Sequence, residues 1–309
     1  MLYLMMKEDN VMFEELNCCK LCPRNCKVNR NNNEVGYCKA TNQVKVGRAA
    51  LHLWEEPCLS GQEGSGTVFF SYCNLGCIYC QNSEISTENK GKVVTIERLA
   101  DIYLELQNQG ANNINLVTPT HYIPQIKQSL IIAKSKGLTI PIVYNTSSYE
   151  NVEALKLLEG LIDIYLPDLK YTRDDLAINY SHAPNYFSFA NSAIEEMYRQ
   201  VGTPIFNKNG IMLKGVIVRH LILPGEINDS KKVIKYLYDT YQDNIFISIM
   251  NQYTVVKKLE YPNLNRSVTD IEYQSIIDYA LDIGIKNGFI QEGETDKSSF
   301  IPSFNGEGV

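Results

Sequence analysis

The chain has 309 residues, 44% of them hydrophobic and 21% charged, with a net charge of -6. That size suits one large α/β domain or about two of ~150 residues, and the acidic balance gives no reason to expect nucleic acid or an anionic membrane as a partner. No apolar run approaches the ~18 residues of a membrane span, and the opening MLYLMMKEDN has no basic n-region or small-residue cleavage site, so a cytoplasmic protein without a signal peptide is expected.

In chain order, residues 1–62 form a cysteine- and Asn-rich module with turn signals such as NRNNNEVGYC. All nine cysteines of the chain fall between Cys18 and Cys80. Disulfides that staple a fold would be spread over it, and the count is odd, so local metal sites are the better reading. Within CCKLCPRNCKVNRNNNEVGYC, Cys19, Cys22, Cys26 and Cys38 give C-x2-C-x3-C-x11-C, four thiols able to close around one centre, with Cys18 as a substitute for Cys19. Structural Zn²⁺ and a second [4Fe–4S] cluster are both candidates, and the cluster is preferred. Cys58 reads as a small buried hydrophobe.

From Thr67 onward short β-rich runs alternate with amphipathic segments. Strands are expected at TVFFS (67–71), INLV (114–117), TIPIVY (139–144), LIDIYL (161–166), KGVIVRHLI (214–222) and IFISIM (245–250). Their near-continuous apolar character suits strands buried on both faces of a parallel sheet. Between them, TIERLADIYLELQNQG begins at a capping Thr, repeats apolar residues at Ile96, Leu99, Ile102, Tyr103 and Leu106, and stops at Gly110. IPQIKQSLIIAKSKG, SYENVEALKLLEG, SKKVIKYLYDTY and TDIEYQSIIDYALDIG carry similar signals. The expected fold is α/β, a partial (β/α)6 barrel over 63–288, with the tail 289–309 following the last helix and placed to cover the barrel mouth.

On the loop leaving the first of these strands, SYCNLGCIYCQN places Cys73, Cys77 and Cys80 within eight residues. Functional groups of parallel βα folds collect at the carboxyl ends of strands. Closed metal sites normally use four ligands, so three thiols with no obvious fourth leave open a zinc knuckle that borrows a distant ligand or a grouping of buried thiols, although Asn74, Gly76 and Gln81 are not core residues.

This C-x3-C-x-Y-C pattern resembles the signature of the radical S-adenosylmethionine (SAM) superfamily. The whole chain looks most like the branch around pyruvate formate-lyase activating enzyme, specifically relatives with a cysteine-rich amino-terminal module. The resemblance implies a [4Fe–4S] cluster on Cys73, Cys77 and Cys80 whose fourth iron chelates SAM, with Tyr79 beside the adenine. It implies reductive cleavage of SAM to methionine and a 5′-deoxyadenosyl radical that abstracts hydrogen from a substrate. DIYLPDLKY resembles the fourth-strand D-x-K of activating enzymes, which gives Lys170 the SAM carboxylate and Asp168 a share in a monovalent cation. VRHLILPG resembles the fifth strand, where Arg219, rather than His220, would approach SAM, because alternation sends the two to opposite faces. YNTSSY offers Asn145 and Ser147. The G-G-E that activating enzymes carry after the second strand is replaced by NLVTPTHYIPQI, where Thr118, Thr120 and His121 supply the polar groups. A flavodoxin- or ferredoxin-type reductant and a protein substrate carrying a glycine are the implied partners. Modification of another protein or a small molecule, and a non-catalytic zinc or iron–sulfur carrier, are the competing functions.

Overall fold

The computed structural model describes residues 12–291 and 302–309. Ten strands, β1 (Val44–His52), β2 (Ser65–Phe70), β3 (Lys92–Val94), β4 (Ile114–Val117), β5 (Ile142–Thr146), β6 (Ile164–Pro167), β7 (Ile205–Phe206), β8 (Met212–Leu221), β9 (Phe246–Met250) and β10 (Gly288–Ile290), build one sheet. Its order is β10-β9-β8-β6-β5-β4-β2-β1-β3, with β7 paired to β8. Strands β2, β4, β5, β6, β8, β9 and β10 run parallel. This is the expected α/β architecture, an open and mostly parallel sheet of partial-barrel type.

The six apolar runs become the parallel strands β2, β4, β5, β6, β8 and β9 because both faces are covered; every residue of β2 and β5 is buried. Helix Ile96–Asn108 starts where Thr95 accepts the Arg98 N–H at 3.1 Å, and its buried stripe includes Ile96, Leu99, Ile102, Tyr103 and Leu106. Thr269 and Glu272 close a reciprocal capping box at the start of helix Asp270–Asp282.

Two features depart from the expectation. Strand β1 lies within the cysteine-rich stretch yet pairs antiparallel with β2, so the barrel sheet begins well before residue 63. Between β6 and β8 there are two helices, Asp174–Ser181 and Tyr186–Val201, where the sequence signals named none.

Alternation along the strands separates two cores. Outward side chains pack under the helices. Inward ones, Val143, Ile164, Leu166, Met212 and Ile217, meet Cys58 and Leu59 from the β1–β2 connection and fill the barrel floor. Cys58 is thus the buried apolar residue its isolation suggested. At the opposite end, residues 302–309 run along β1: the Ala49 N–H donates to the Glu307 carbonyl at 2.9 Å, and Phe304 packs edge-on against Phe69 near Val117. The rest of the tail expected over the mouth, residues 292–301, lies outside the described residues. No helix among the described residues is long and apolar enough to cross a membrane.

Candidate cofactor site

The loop after β2 turns through Tyr72 (φ 74°) and Gly76 (φ 82°), conformations that a glycine adopts without strain and a tyrosine rarely does. It carries Cys73, Cys77 and Cys80. The Leu75 N–H donates to Cys73 Sγ at 3.3 Å, Ser181 Oγ donates to Cys77 Sγ at 3.0 Å, and Cys80 Sγ shares a 3.4 Å hydrogen bond with Ser86. Among the described residues no three His, Cys, Asp or Glu side chains converge into a ready metal site. Thiols without a metal behave as small apolar groups with weak polar contacts, so their orientations follow local donors.

The donor set nonetheless fits an iron–sulfur cluster: three thiols on one loop, with donors already aimed at individual sulfurs. Burial pushes the Cys73 thiol up to about 12, with Cys77 adding to it and the N–H groups of Leu75 and Gly76 opposing. Burial also raises Cys77, against the pull of the Lys170 ammonium. A ligand binding there must therefore release protons.

Facing the loop is a charged cradle on the inward positions of the strand ends. Lys170 Nζ donates to Asp168 Oδ2 at 2.7 Å. Arg219 donates to Asp168 Oδ1 at 3.1 Å, to Asn145 Oδ1 at 2.7 Å and to Glu55 at 3.2 Å. Glu55 also accepts from Asn115 at 2.9 Å. Burial acts to raise the Asp168 carboxyl, but Lys170 and Arg219 outweigh it and hold it below the usual carboxylate range. Burial raises Glu55 despite Arg219. As alternation requires, His220 turns the other way and its Nδ1 meets the Leu169 carbonyl at 2.7 Å. Buried Asn115 Oδ1 and Ser147 Oγ have no partner, leaving polar capacity in this region for a ligand.

Several expected roles change. Both oxygens of Asp168 are engaged by cationic side chains, so a further monovalent cation there would meet positive charge rather than a free carboxylate. Tyr79 is buried, its hydroxyl 2.5 Å from that of Tyr171, which meets Ser181 at 2.7 Å, so the phenol is anchored in a hydroxyl chain leading to Cys77. Thr118 holds a positive φ of 58° and its N–H donates to the Asn145 carbonyl at 2.9 Å, so it sits beside the cradle. Thr120 and His121 do not. Thr120 donates to buried Glu150 at 2.6 Å, and His121 Nε2 meets the Ser71 carbonyl at 2.8 Å.

His121 is lowered to about 3, mainly by burial. A folded-state value below the unfolded one means that stability is full above the unfolded pKa of about 6.5 and declines as pH falls towards 3. Acid titration of the unfolding free energy is expected to show this slope, and His121→Asn to flatten it; an unchanged slope would mean that the ring charges freely in the fold.

In the amino-terminal module, Cys19, Cys22, Cys26 and Cys38 all line one cavity of about 10 Å³, together with Arg24, Arg30 and His121. Cys18 is exposed and does not line it. At Gly36 a Cβ would lie 2.7 Å from Cys26 Sγ and 2.8 Å from its Cβ, so a larger residue would displace that thiol. The Tyr37 N–H donates to Cys26 Sγ at 3.3 Å, and buried Arg30 reaches Cys19 Sγ at 3.8 Å and the His121 carbonyl at 2.6 Å. Glu55, Arg24 and Arg30, none of them marked by a motif, were the residues that sequence reasoning missed.

An open parallel sheet with three thiols on its first loop and paired charges across the strand ends is the frame of a cofactor-dependent partial barrel. The sequence model of the radical SAM superfamily matches residues 67–237, and the chain belongs to that superfamily. Membership implies an enzyme with a [4Fe–4S] cluster and SAM. An uncharacterized protein of Methanocaldococcus jannaschii is 29% identical over 274 residues, 85% of this chain and 74% of its own length. Among solved structures, methylornithine synthase is similar at a TM-score of 0.49 and 13% identity, covering 81% of this chain and 76% of that one. SuiB of Streptococcus suis aligns at 0.47 and 14% identity over 74% of this chain, which spans 48% of SuiB. A domain of pyruvate-formate lyase-activating enzyme from Bacteroides vulgatus aligns at 0.39 and 12% identity, over 55% of this chain and 92% of that one.

Proposed function

We propose that Cys73, Cys77 and Cys80 hold the cluster, that Lys170 and Arg219 orient SAM, and that the chain abstracts hydrogen from a glycine of a partner protein, as activating enzymes do. The observation that carries the SAM assignment is the cradle of Asp168, Lys170, Arg219 and Asn145 opposite a three-thiol loop. When bound, the reduced cluster supplies the electron that cleaves SAM to methionine and a 5′-deoxyadenosyl radical. Lys170 offers an ammonium for a carboxylate, with Asp168 holding it in place. Arg219 fixes Asp168 and Asn145 together, so the polar rim is set before a ligand arrives. A flavodoxin- or ferredoxin-type protein is the expected electron donor, since the potential required lies near the low end of the iron–sulfur range.

A second reading, modification of another protein or of a small molecule, is favoured by one observation. The place of G-G-E holds Thr120 and His121, both committed to internal hydrogen bonds. Anaerobic incubation with SAM and dithionite separates the readings: deoxyadenosine with a glycyl radical signal on a partner supports the first, and deoxyadenosine without one supports the second. No cleavage at all would leave a carrier or binding protein.

The amino-terminal thiols line one cavity with Arg24 and Arg30, cations that would offset the charge of four thiolates closed around one ion. We therefore propose Zn²⁺ for them, in place of the second cluster preferred at first. Metal analysis of the anaerobic protein should give about four irons and one zinc per chain; about eight irons would reverse the assignment.

A further inference from the structure

Arg24 lies between Cys22 and Cys26, but its guanidinium leaves the module and enters the loop that carries Cys73. Nε donates to the Asn74 carbonyl at 2.8 Å, one terminal nitrogen to the Leu75 carbonyl at 3.1 Å, and the other to the His182 carbonyl. Tyr37, also from the module, donates its hydroxyl to the Leu75 carbonyl at 2.7 Å, and its ring lies 3.7 Å from the guanidinium carbon. Tyr149 lies at 5.2 Å from the same carbon, and its carbonyl accepts from Asn74 at 2.7 Å. A planar guanidinium is the one side chain that spans three carbonyls in fixed geometry.

The carbonyls it takes are not arbitrary. A peptide unit is rigid, so holding its C=O fixes the N–H at its other end. The Asn74 carbonyl shares a unit with the Leu75 N–H, which donates to Cys73 Sγ. The Leu75 carbonyl shares one with the Gly76 N–H, the next amide of the same loop. Arg24 thus grips the far end of the peptide whose near end donates to Cys73, and with Tyr37 it holds the next peptide along the loop.

We propose that Arg24, assisted by Tyr37, is a positioning residue for the cluster loop, fixing the peptide that hydrogen-bonds Cys73 Sγ and the one that follows it, and thereby tuning the reduction potential of the cluster held there. The proposal rests on the cluster assignment above. Hydrogen bonds to a cluster's sulfurs and positive charge nearby both favour its reduced form, so the two effects of Arg24 share a sign. The amino-terminal module acts on the SAM site through this contact.

The test uses the full chain, anaerobically reconstituted, as the parent, Arg24→Ala, Arg24→Lys and Tyr37→Phe. The midpoint potential of the SAM-responsive electron paramagnetic resonance signal is expected to move to more negative values in Arg24→Ala. Tyr37→Phe should move it less, in the same direction. Arg24→Lys keeps the charge but cannot span the carbonyls, so it should fall between the parent and Arg24→Ala. In the metal-free chain, amide exchange at residues 74–77 should be faster in Arg24→Ala than in the parent. Parental potentials in Arg24→Ala and Tyr37→Phe, with parental exchange, would overturn the proposal. If Arg24→Ala fails to take up iron, Tyr37→Phe decides: a negative shift supports the proposal and a parental potential sinks it. A parent without any SAM-responsive signal would instead remove the cluster assignment, and the exchange comparison would still judge the clamp.

Discussion

Cys77→Ala is expected to lower SAM cleavage by at least ~10²-fold, because substitutions one shell beyond a metal's ligands already cost 10–100-fold. The thiol lies at the end of the Tyr79–Tyr171–Ser181 hydroxyl chain and beside Lys170, so its loss removes a ligand without emptying a large volume of core. Far-ultraviolet circular dichroism should therefore stay parental while deoxyadenosine production, measured by chromatography, disappears. Cys73→Ala and Cys80→Ala should behave alike. Cleavage by Cys77→Ala at the parental rate would end the cluster assignment.

Arg219→Met is expected to cost about 3–5 kcal/mol of unfolding free energy, the range seen when one partner of a buried ion pair is removed. Arg219 holds Asp168 and Glu55 together, and the three side chains are only 15%, 16% and 8% exposed. Methionine fills much of the volume but leaves the carboxyls of Asp168, Glu55 and neighbouring Glu56, all of which interact with Arg219, with Lys170 alone to balance them. Urea unfolding at neutral pH measures the loss, and lowering the pH should recover part of it as the carboxyls protonate. A cost under about 1 kcal/mol would show that water reaches these carboxylates, since exposed pairs contribute little.

The parallel strands were legible because burial on both faces leaves an apolar run that little else imitates, and the helices with Thr95 and Thr269 were legible because their caps are local. Strand β1 escaped because VKVGRAALH is half-exposed on one face and follows a run of turn signals. Helix Tyr186–Val201 escaped because its first turn is announced by no side-chain cap; Asn185 has a positive φ of 56° and makes none. The three thiols could be read as a site because they share one loop. The cradle could be read only in part. Asp168 and Lys170 are neighbours in sequence, but Glu55 reaches Arg219 across 164 positions. Arg24 reaches Asn74 across 50. Contacts of that span depend on topology, which short-range patterns do not carry.

The packed floor has a consequence for traffic. Cys58, Leu59 and Met212 close the interior at one end, and Glu55 stands on that closure. Among the described residues the floor bars entry from that end, which leaves the rim where the thiol loop lies as the approach to the proposed site. Two ligands that share it must pass through the same opening, and the later arrival bars the exit of the earlier. On the reading proposed above, steady-state kinetics with SAM and a candidate substrate should show an ordered pattern, and a random one would mean that a second route reaches the site.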